Sequence, residues 1–387
     1  MGYLVLTELF LPTKGGTAIW FDEVYRRIGG ATTHIVTASV PDDEHHDREH
    51  PNHIHRLKLR HWKWMRPASG GIYLKFLFRG LILGLRYQFD AVHAGRVLPE
   101  GYIGWFVARL TGKPLVIYAH GEEITAWRRS SRRLRAMRFA YCRADHVIAN
   151  SRFTQSELIG LGVSPARVSI VYPGVNLDRF HPNHKYDDLK RRLHLQDGQR
   201  LILSVGRLTR RKGFDQVIRS LSHLLHSGLD VHHAIIGIGE DFDYLRNLAA
   251  SEGVSDRVHL LGHVEPEELP RWYCAADVFA MPNREIDGDT EGFGMVYIEA
   301  AACGTPSVTG LKGGTGDAVI HEKTGLRIDG ASVDAVATAL RRMLGDATIR
   351  SQLGKAALER AHGTFGWDTV AKRTLILTGA LSSEDPN

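Results

Sequence analysis

The chain has 387 residues, 43% of them hydrophobic and 24% charged, with 14 Pro against 40 Gly. That length suits two domains with separate cores, and the composition excludes disordered and collagen-like chains. The net charge of +6 is uneven: residues 1–185 hold 26 Lys and Arg against 15 Asp and Glu, whereas the remainder holds 23 against 28, so the first half faces an anionic partner such as nucleic acid, phospholipid or a phosphorylated substrate.

Cys142, Cys274 and Cys303 are far apart and form no C-x-x-C pair, so neither a disulfide framework nor a thiolate zinc site is encoded and a reducing cytoplasm is expected. The opening MGYLVLTELF has no basic region or cleavage site and reads directly into a strand. Strands are predicted at Leu4–Leu9, His34–Ala38, Ile54–Leu59, Ala91–Ala94, Leu115–Ala119, His146–Ala149 and Val168–Val171, with amphipathic stretches between most of them. Such alternation implies a mostly parallel sheet covered on both faces. The first turn, Leu11-Pro12-Thr13-Lys14-Gly15-Gly16-Thr17, precedes a predicted helix at Ala18–Ile28. Paired glycines there are either an ordinary tight turn or a place where exposed amides meet phosphate.

Further along, Glu44 to His55 is rich in potential metal ligands but matches no fixed ligand spacing, and reads as a solvated loop. His55 to Arg66, with Trp62 and Trp64, mixes cations and aromatics; Trp127 to Phe139, with Arg128, Arg129, Arg132 and Arg133, reads as a basic amphipathic helix. Both fit an anionic membrane surface, nucleic acid or plain solvent. The apolar stretch Leu74–Phe89 is interrupted by Lys75, Arg79 and Arg86, too many charges for a membrane span.

After a linker near residues 175–200 the alternation restarts with Leu201–Val205, His232–Ile236, Val258–Leu261, Val278–Ala280 and Ser307–Thr309, and ends in helices at Val333–Leu344, Ala347–His362 and Trp367–Ala380. The division expected is 1–180 and 181–365, with the helix at about 366–380 returning to the first domain. This is an α/β architecture of two facing Rossmann-like, doubly wound domains and an inter-domain cleft, with ligands beyond the carboxyl ends of the strands. At one such end, Gly206-Arg207-Leu208-Thr209-Arg210-Arg211-Lys212-Gly213 offers cations, chiefly Arg207 and Lys212, that could stabilise a diphosphate leaving group without a metal. At another, Glu291-Gly292-Phe293-Gly294-Met295 leads into a helix carrying Glu299. Glu299 is placed to accept ribose hydroxyls or to bridge a buried Arg. Asp287-Gly288-Asp289 reads as a loop-ordering element.

The E-x7-E element within EGFGMVYIEAAACGTP, the GRLTRRKG turn and the paired-glycine loop resemble those of retaining family 4 glycosyltransferases of the GT-B fold, over essentially the whole chain. Phe279 to Val308 is most similar to bacterial lipid mannosyltransferases of the phosphatidylinositol mannoside type. The resemblance implies that Gly15 and Gly16 approach the donor phosphates, Arg207 and Lys212 hold the diphosphate, and Glu299 binds the ribose. It puts Glu291 and the amides of Gly292, Phe293, Gly294 and Met295 at the sugar and distal phosphate, and Val264 at the base. His120 would position the reacting sugar. The reaction implied is front-face transfer of a hexosyl group with retention, from GDP-mannose or a UDP-hexose, with no metal or other cofactor. The acceptor would be a membrane-associated lipid or lipid-linked saccharide in glycolipid or envelope polysaccharide synthesis, met by a cytoplasmic or peripheral inner-face enzyme. A soluble acceptor is the alternative, and a basic nucleic-acid-binding protein is the competing class. The loop Gly313-Gly314-Thr315-Gly316-Asp317-Ala318-Val319 departs from the family pattern.

Overall fold

The computed structural model describes residues 1–59, 70–128 and 130–383, with side chains up to residue 380. Trp62, Trp64 and Arg129 lie outside the described residues. The chain divides into two compact units, Met1–Pro173 with Trp367–Asn387, and Gly174–Gly366.

The first unit is a seven-stranded sheet of β1 (Tyr3–Leu6), β2 (His34–Ala38), β3 (His53–Leu57), β4 (Ala91–Ala94), β5 (Leu115–Ala119), β6 (His146–Ala149) and β7 (Val168–Ile170), ordered 3-2-1-4-5-6-7. All the pairings are parallel. The central strands are buried throughout because helices cover both faces, which is why they read as mainly apolar runs, interrupted by His93 in β4 and opened by His146 in β6. Among them sits a polar cluster: Tyr25 Oη lies 2.5 Å from His93 Nδ1 and 3.2 Å from Tyr118 Oη, and Tyr3 stacks on His93. Burial takes His93 down to about 3, so it is neutral at any ordinary pH. Tyr3 Oη also meets Thr378 Oγ1 at 3.0 Å, and Arg27 pairs with Asp368 at 2.7 Å, which fastens the helix Trp367–Ser383 to this unit.

The second unit holds β8 (Arg200–Val205), β9 (Val231–Ile236), β10 (Val258–Gly262), β11 (Val278–Met281), β12 (Ser307–Gly310) and β13 (Gly325–Ile328), ordered 10-9-8-11-12-13 and again parallel. β13 is not anticipated by the sequence reading, being four residues long with a glycine at its start. That glycine is required: a Cβ on Gly325 would lie 2.4 Å from the Ser307 carbonyl of β12.

Two segments differ from expectation. Glu44 to His55 is not a solvated loop; Asp43–Arg48 is helical, His50 is buried and His53–Leu57 is strand β3. The predicted basic helix from Trp127 is two helices, Glu122–Trp127 and Ser131–Arg143, the second begun by Ser130 Oγ accepting from the Arg133 amide at 3.4 Å.

In each sheet the strand order reverses once, between β1 and β4 and between β8 and β11. Chains leaving the sheet there diverge and open a crevice at its carboxyl edge. In the second unit that edge is crowded: Gly237 follows β9 at φ +151°, and a Cβ would sit 1.9 Å from the carbonyl of Gly206, which follows β8. Gly237→Ala is expected to lower stability by about 2–3 kcal/mol, read as a lower urea midpoint at unchanged slope. An unchanged midpoint would show that the turn relaxes freely.

Candidate functional site

The switch point of the second unit is built from the segments that follow β8 and β11. After β8 the chain turns through Gly206 to Thr209, anchored by buried Leu208, and winds one 3-10 turn at Arg210–Lys212. Gly213, at φ +77°, then starts the helix Phe214–His226. A Cβ on Gly213 would lie 2.1 Å from the Pro282 carbonyl, so glycine alone lets this turn lie against the chain leaving β11.

That approach brings cations to Glu291. Arg211 Nη1 donates to Glu291 Oε2 at 2.9 Å and Lys212 Nζ donates to the same oxygen at 2.5 Å. Burial alone would raise the Glu291 carboxyl, but Lys212 and Arg211 together hold it at about 2. Glu291 is therefore an ionised group at neutral pH, and its Oε1 takes neither of these bonds. Arg211 also donates from Nε to Asp289 Oδ2 at 3.0 Å. Asp289 closes a tight turn with Ile286, in which Asp287 and Gly288 are left-handed at φ +54° and +79°.

The main chain of Glu291 is held as firmly as its side chain. The Gly314 amide donates to the Glu291 carbonyl at 2.8 Å, and a Cβ on Gly313 would lie 2.2 Å from that carbonyl. The segment that departs from the family pattern thus packs on the backbone of Glu291. Beyond it, Gly294 at φ +86° precedes the helix Met295–Ala302, and Phe293 is buried edge-on to Phe365. Glu299, half-buried on that helix, accepts from Tyr273 Oη at 2.8 Å, and the Arg179 charge also acts on its carboxyl. Burial raises its carboxyl above the ordinary range. Arg207 is exposed, its Nε 3.6 Å from Glu240 Oε2, and half-buried Val264 follows β10.

In the first unit Gly15, at φ +138°, caps the helix Gly16–Tyr25, and both glycines are exposed. His120 follows β5; its Nε2 donates to the Gly95 carbonyl at 2.8 Å, which places a proton on Nε2 and leaves Nδ1 turned away from that carbonyl. The backbone of His120 is clamped as well. Its amide donates to Glu123 Oε1 at 3.0 Å, its carbonyl accepts from Asn150 Nδ2 at 2.8 Å, and Tyr141 Oη braces Glu123 at 2.8 Å. Trp127 packs half-buried against the core with Arg133 over its ring at 5.5 Å, Arg128 pairs with Glu157, and Arg132 is exposed.

The two units match known families separately. Residues 185–360 match the model for glycosyl transferases group 1 and residues 15–179 the model for glycosyltransferase family 4. The chain is 33% identical over 378 residues to a GDP-mannose-dependent alpha-(1-6)-phosphatidylinositol monomannoside mannosyltransferase of Mycolicibacterium smegmatis, covering 96% of each chain. A D-inositol 3-phosphate glycosyltransferase of Catenulispora acidiphila is 33% identical over 311 residues, 75% of this chain and 72% of that one. Among solved structures, Anabaena Alr3699/HepE in complex with UDP superposes with a TM-score of 0.83 at 20% identity, over 98% of this chain and 100% of that one. Sucrose-phosphate synthase from Thermosynechococcus elongatus gives 0.82 at 24% identity over the whole of both chains. The chain belongs to glycosyltransferase family 4 and has the GT-B fold. It is a hexosyltransferase that uses a nucleotide-sugar donor.

Sequence reading ranks Arg211, with Arg210, below Arg207 and Lys212 and gives Asp289 only a loop role, yet Arg211 is the side chain that joins both acids. The signal available was the alternation of the turn, with Leu208 inward and the cations free to face the next loop. Because Glu291 is held at about 2 against an ordinary 4.5, it contributes stability above the ordinary value, and that stability is lost as pH falls towards 2. Arg211→Met should raise the Glu291 carboxyl, start this acid loss at higher pH and cost about 2 kcal/mol at neutral pH. Urea unfolding across the acid range checks it; superimposable pH profiles for the two proteins would show that Lys212 alone sets the charge.

Proposed function

We propose that this enzyme transfers a mannosyl group from GDP-mannose, with retention and without a metal, to an inositol-containing lipid at a membrane surface. The observation that carries the reading is Glu291, ionised at neutral pH with both cationic bonds on one oxygen, beside a glycine-initiated helix that also bears Glu299. A carboxylate so held can accept donor-sugar hydroxyls through Oε1. Lys212 and Arg207 supply the positive charge that a departing diphosphate needs. Glu299 receives ribose hydroxyls, Val264 lies against the base, and the amides of Gly292 to Met295 and of Gly15 and Gly16 meet sugar and phosphates. The leaving phosphate oxygen takes the acceptor's proton, so no separate base is assigned, and His120 presents Nδ1 to the sugar for positioning. The mannosyl and inositol-lipid parts rest on the named activity of the mycolicibacterial relative.

A soluble acceptor is the second reading, favoured by the inositol phosphate glycosyltransferase relative. Among the described residues no helix is long and apolar enough to cross a membrane. What favours a membrane surface is the helix Gly70–Arg86, which exposes Leu74, Phe78, Ile82 and Leu85 along one stripe, and the helix Tyr102–Thr111, which exposes Phe106 and Leu110. This stripe is proposed as a docking surface in addition to the basic segment with Arg128, Arg132 and Arg133, of which Trp127 is half-buried.

Saturating GDP should raise the thermal midpoint, with GDP-mannose consumed and UDP-sugars left intact; a shift with UDP alone would overturn the mannosyl assignment. Glu291→Gln should lower transfer by about 100-fold or more while the fold persists, and full activity would remove Glu291 from the reaction. Phe78→Glu with Leu85→Glu should abolish co-sedimentation with anionic vesicles and spare hydrolysis of the donor. If binding to vesicles is undiminished, the stripe is not the docking surface.

A further inference from the structure

A cluster in the first unit takes no part in the reaction proposed above. Asp22 lies on the helix Gly16–Tyr25, His46 on the helix Asp43–Arg48 and His50 just beyond that helix. The four-residue step between the histidines sets both rings towards Asp22: His46 Nε2 is 2.8 Å and His50 Nε2 is 3.3 Å from the same oxygen, Oδ1. The donor atoms of the three residues all lie within 4.8 Å of one another. Asp22 is buried with its side chain 3% exposed, and the His50 side chain is 0% exposed. Neither Nε2 finds a hydrogen-bond partner of good geometry, although a buried ring nitrogen without one is costly.

We propose that Asp22, His46 and His50 bind one zinc-class divalent cation, which ties the segment Asp43–His50 to the helix behind the paired-glycine turn. Donors about 2.0–2.1 Å from a tetrahedral ion lie about 3.3 Å apart, so the ion fits between these groups with small side-chain adjustments. Two imidazoles and a carboxylate suit zinc or cobalt better than magnesium or calcium. The His46 side chain is 17% exposed, so water would have to reach the fourth position past this ring. Phe10 walls the site, with its ring centroid 5.9 and 5.4 Å from those of His46 and His50.

Two neighbours set the strength of the site. Arg26 approaches the other carboxylate oxygen, Oδ2, from Nε at 3.2 Å and Nη2 at 3.1 Å and reaches Oδ1 from Nη2 at 3.4 Å, so it reduces the negative charge the ion would meet and would give up that longest contact on ligation. The Asn52 amide lies 3.3 Å from His50 Nδ1. Ligation through Nε2 moves the ring proton to Nδ1 and gives up that long contact. The site is therefore weaker than a structural zinc site of four thiolates. Its position fits a bracing role, because Arg56 pairs with Asp47 of the same short helix and donates to the Leu11 carbonyl at 2.5 Å. The cation and Arg56 together steady the chain that leads from Phe10 to Gly15 and Gly16.

The test uses the full chain, stripped with EDTA and titrated with Co2+. One equivalent should develop the visible bands of four- or five-coordinate cobalt, Zn2+ should displace it, and Zn2+ should raise the thermal midpoint. His46→Gln and His50→Gln should each lose the bands and the Zn2+ shift while keeping the stabilisation by nucleotide. Should His50→Gln fail to fold, His46→Gln decides alone, since its ring is partly exposed. The chain has 21 His, so bands that persist in His46→Gln come from other histidines and overturn the proposal, as does a wild-type chain that develops none.

Discussion

The second unit is organised around the need to keep one nearly buried carboxylate ionised. Removing Glu291 from water would favour its protonated form, and only the two cations on Oε2 reverse that. Both cations come from a single 3-10 turn, and that turn reaches the carboxylate because Gly213 has no side chain to meet Pro282. On the opposite side Gly313 and Gly314 close on the Glu291 carbonyl. Three strand ends are thereby locked to one residue, and the strand order that places β8 beside β11 makes it geometrically possible.

The first unit also has an ordered carboxyl edge, where Arg96 bridges Glu8 at 2.8 Å and buried Glu100 at 3.6 Å. Its polar groups at the carboxyl edge are held by backbone atoms and by other buried side chains: His120 through Gly95, Glu123 and Asn150, and Glu123 in turn through Tyr141. The proton position on His120 follows from this frame, because a carbonyl can only accept. Deeper in the same sheet, Tyr25, His93 and Tyr118 form a neutral cluster that Tyr3 connects to the C-terminal helix. That helix belongs to the first unit although nearly two hundred residues of the second precede it.

Much of this was legible in the sequence for a physical reason. Parallel strands buried on both faces need mainly apolar runs, so β2, β4, β5 and β6 can be read to the residue. β13 escaped because its place at the sheet edge is set by a glycine's close approach and not by its own hydrophobicity. The histidines from His45 to His55 misled in the other direction: they look solvated, yet the four-step from His46 to His50 is a helical spacing, and Asp22, more than twenty residues earlier, completes the cluster. Trp127 looked like a surface aromatic and is half-buried against the core instead. Arg211 was hard to rank because its importance depends on Asp289 and Glu291, which arrive from another strand end.

The pairing at Glu291 also bears on how charge would be redistributed in the proposed reaction. Arg211 is planar and committed at two nitrogens, to Glu291 and Asp289, whereas Lys212 presents a single ammonium on a flexible stem. A diphosphate entering beside the turn would compete for Lys212 far more readily than for Arg211. The carboxylate would then keep one cation and stay ionised, while the second cation becomes available to the leaving group. In that proposed reaction, neighbouring positions in one turn would divide the work: Arg211 would preserve the charge state of the acid, and Lys212 would meet the charge that bond cleavage creates. Exchanging the two residues would keep the net charge and lose this division, because a lysine at 211 would have to serve both acids from one nitrogen without the fixed fork, and an arginine at 212 would carry a planar fork in place of a single mobile ammonium.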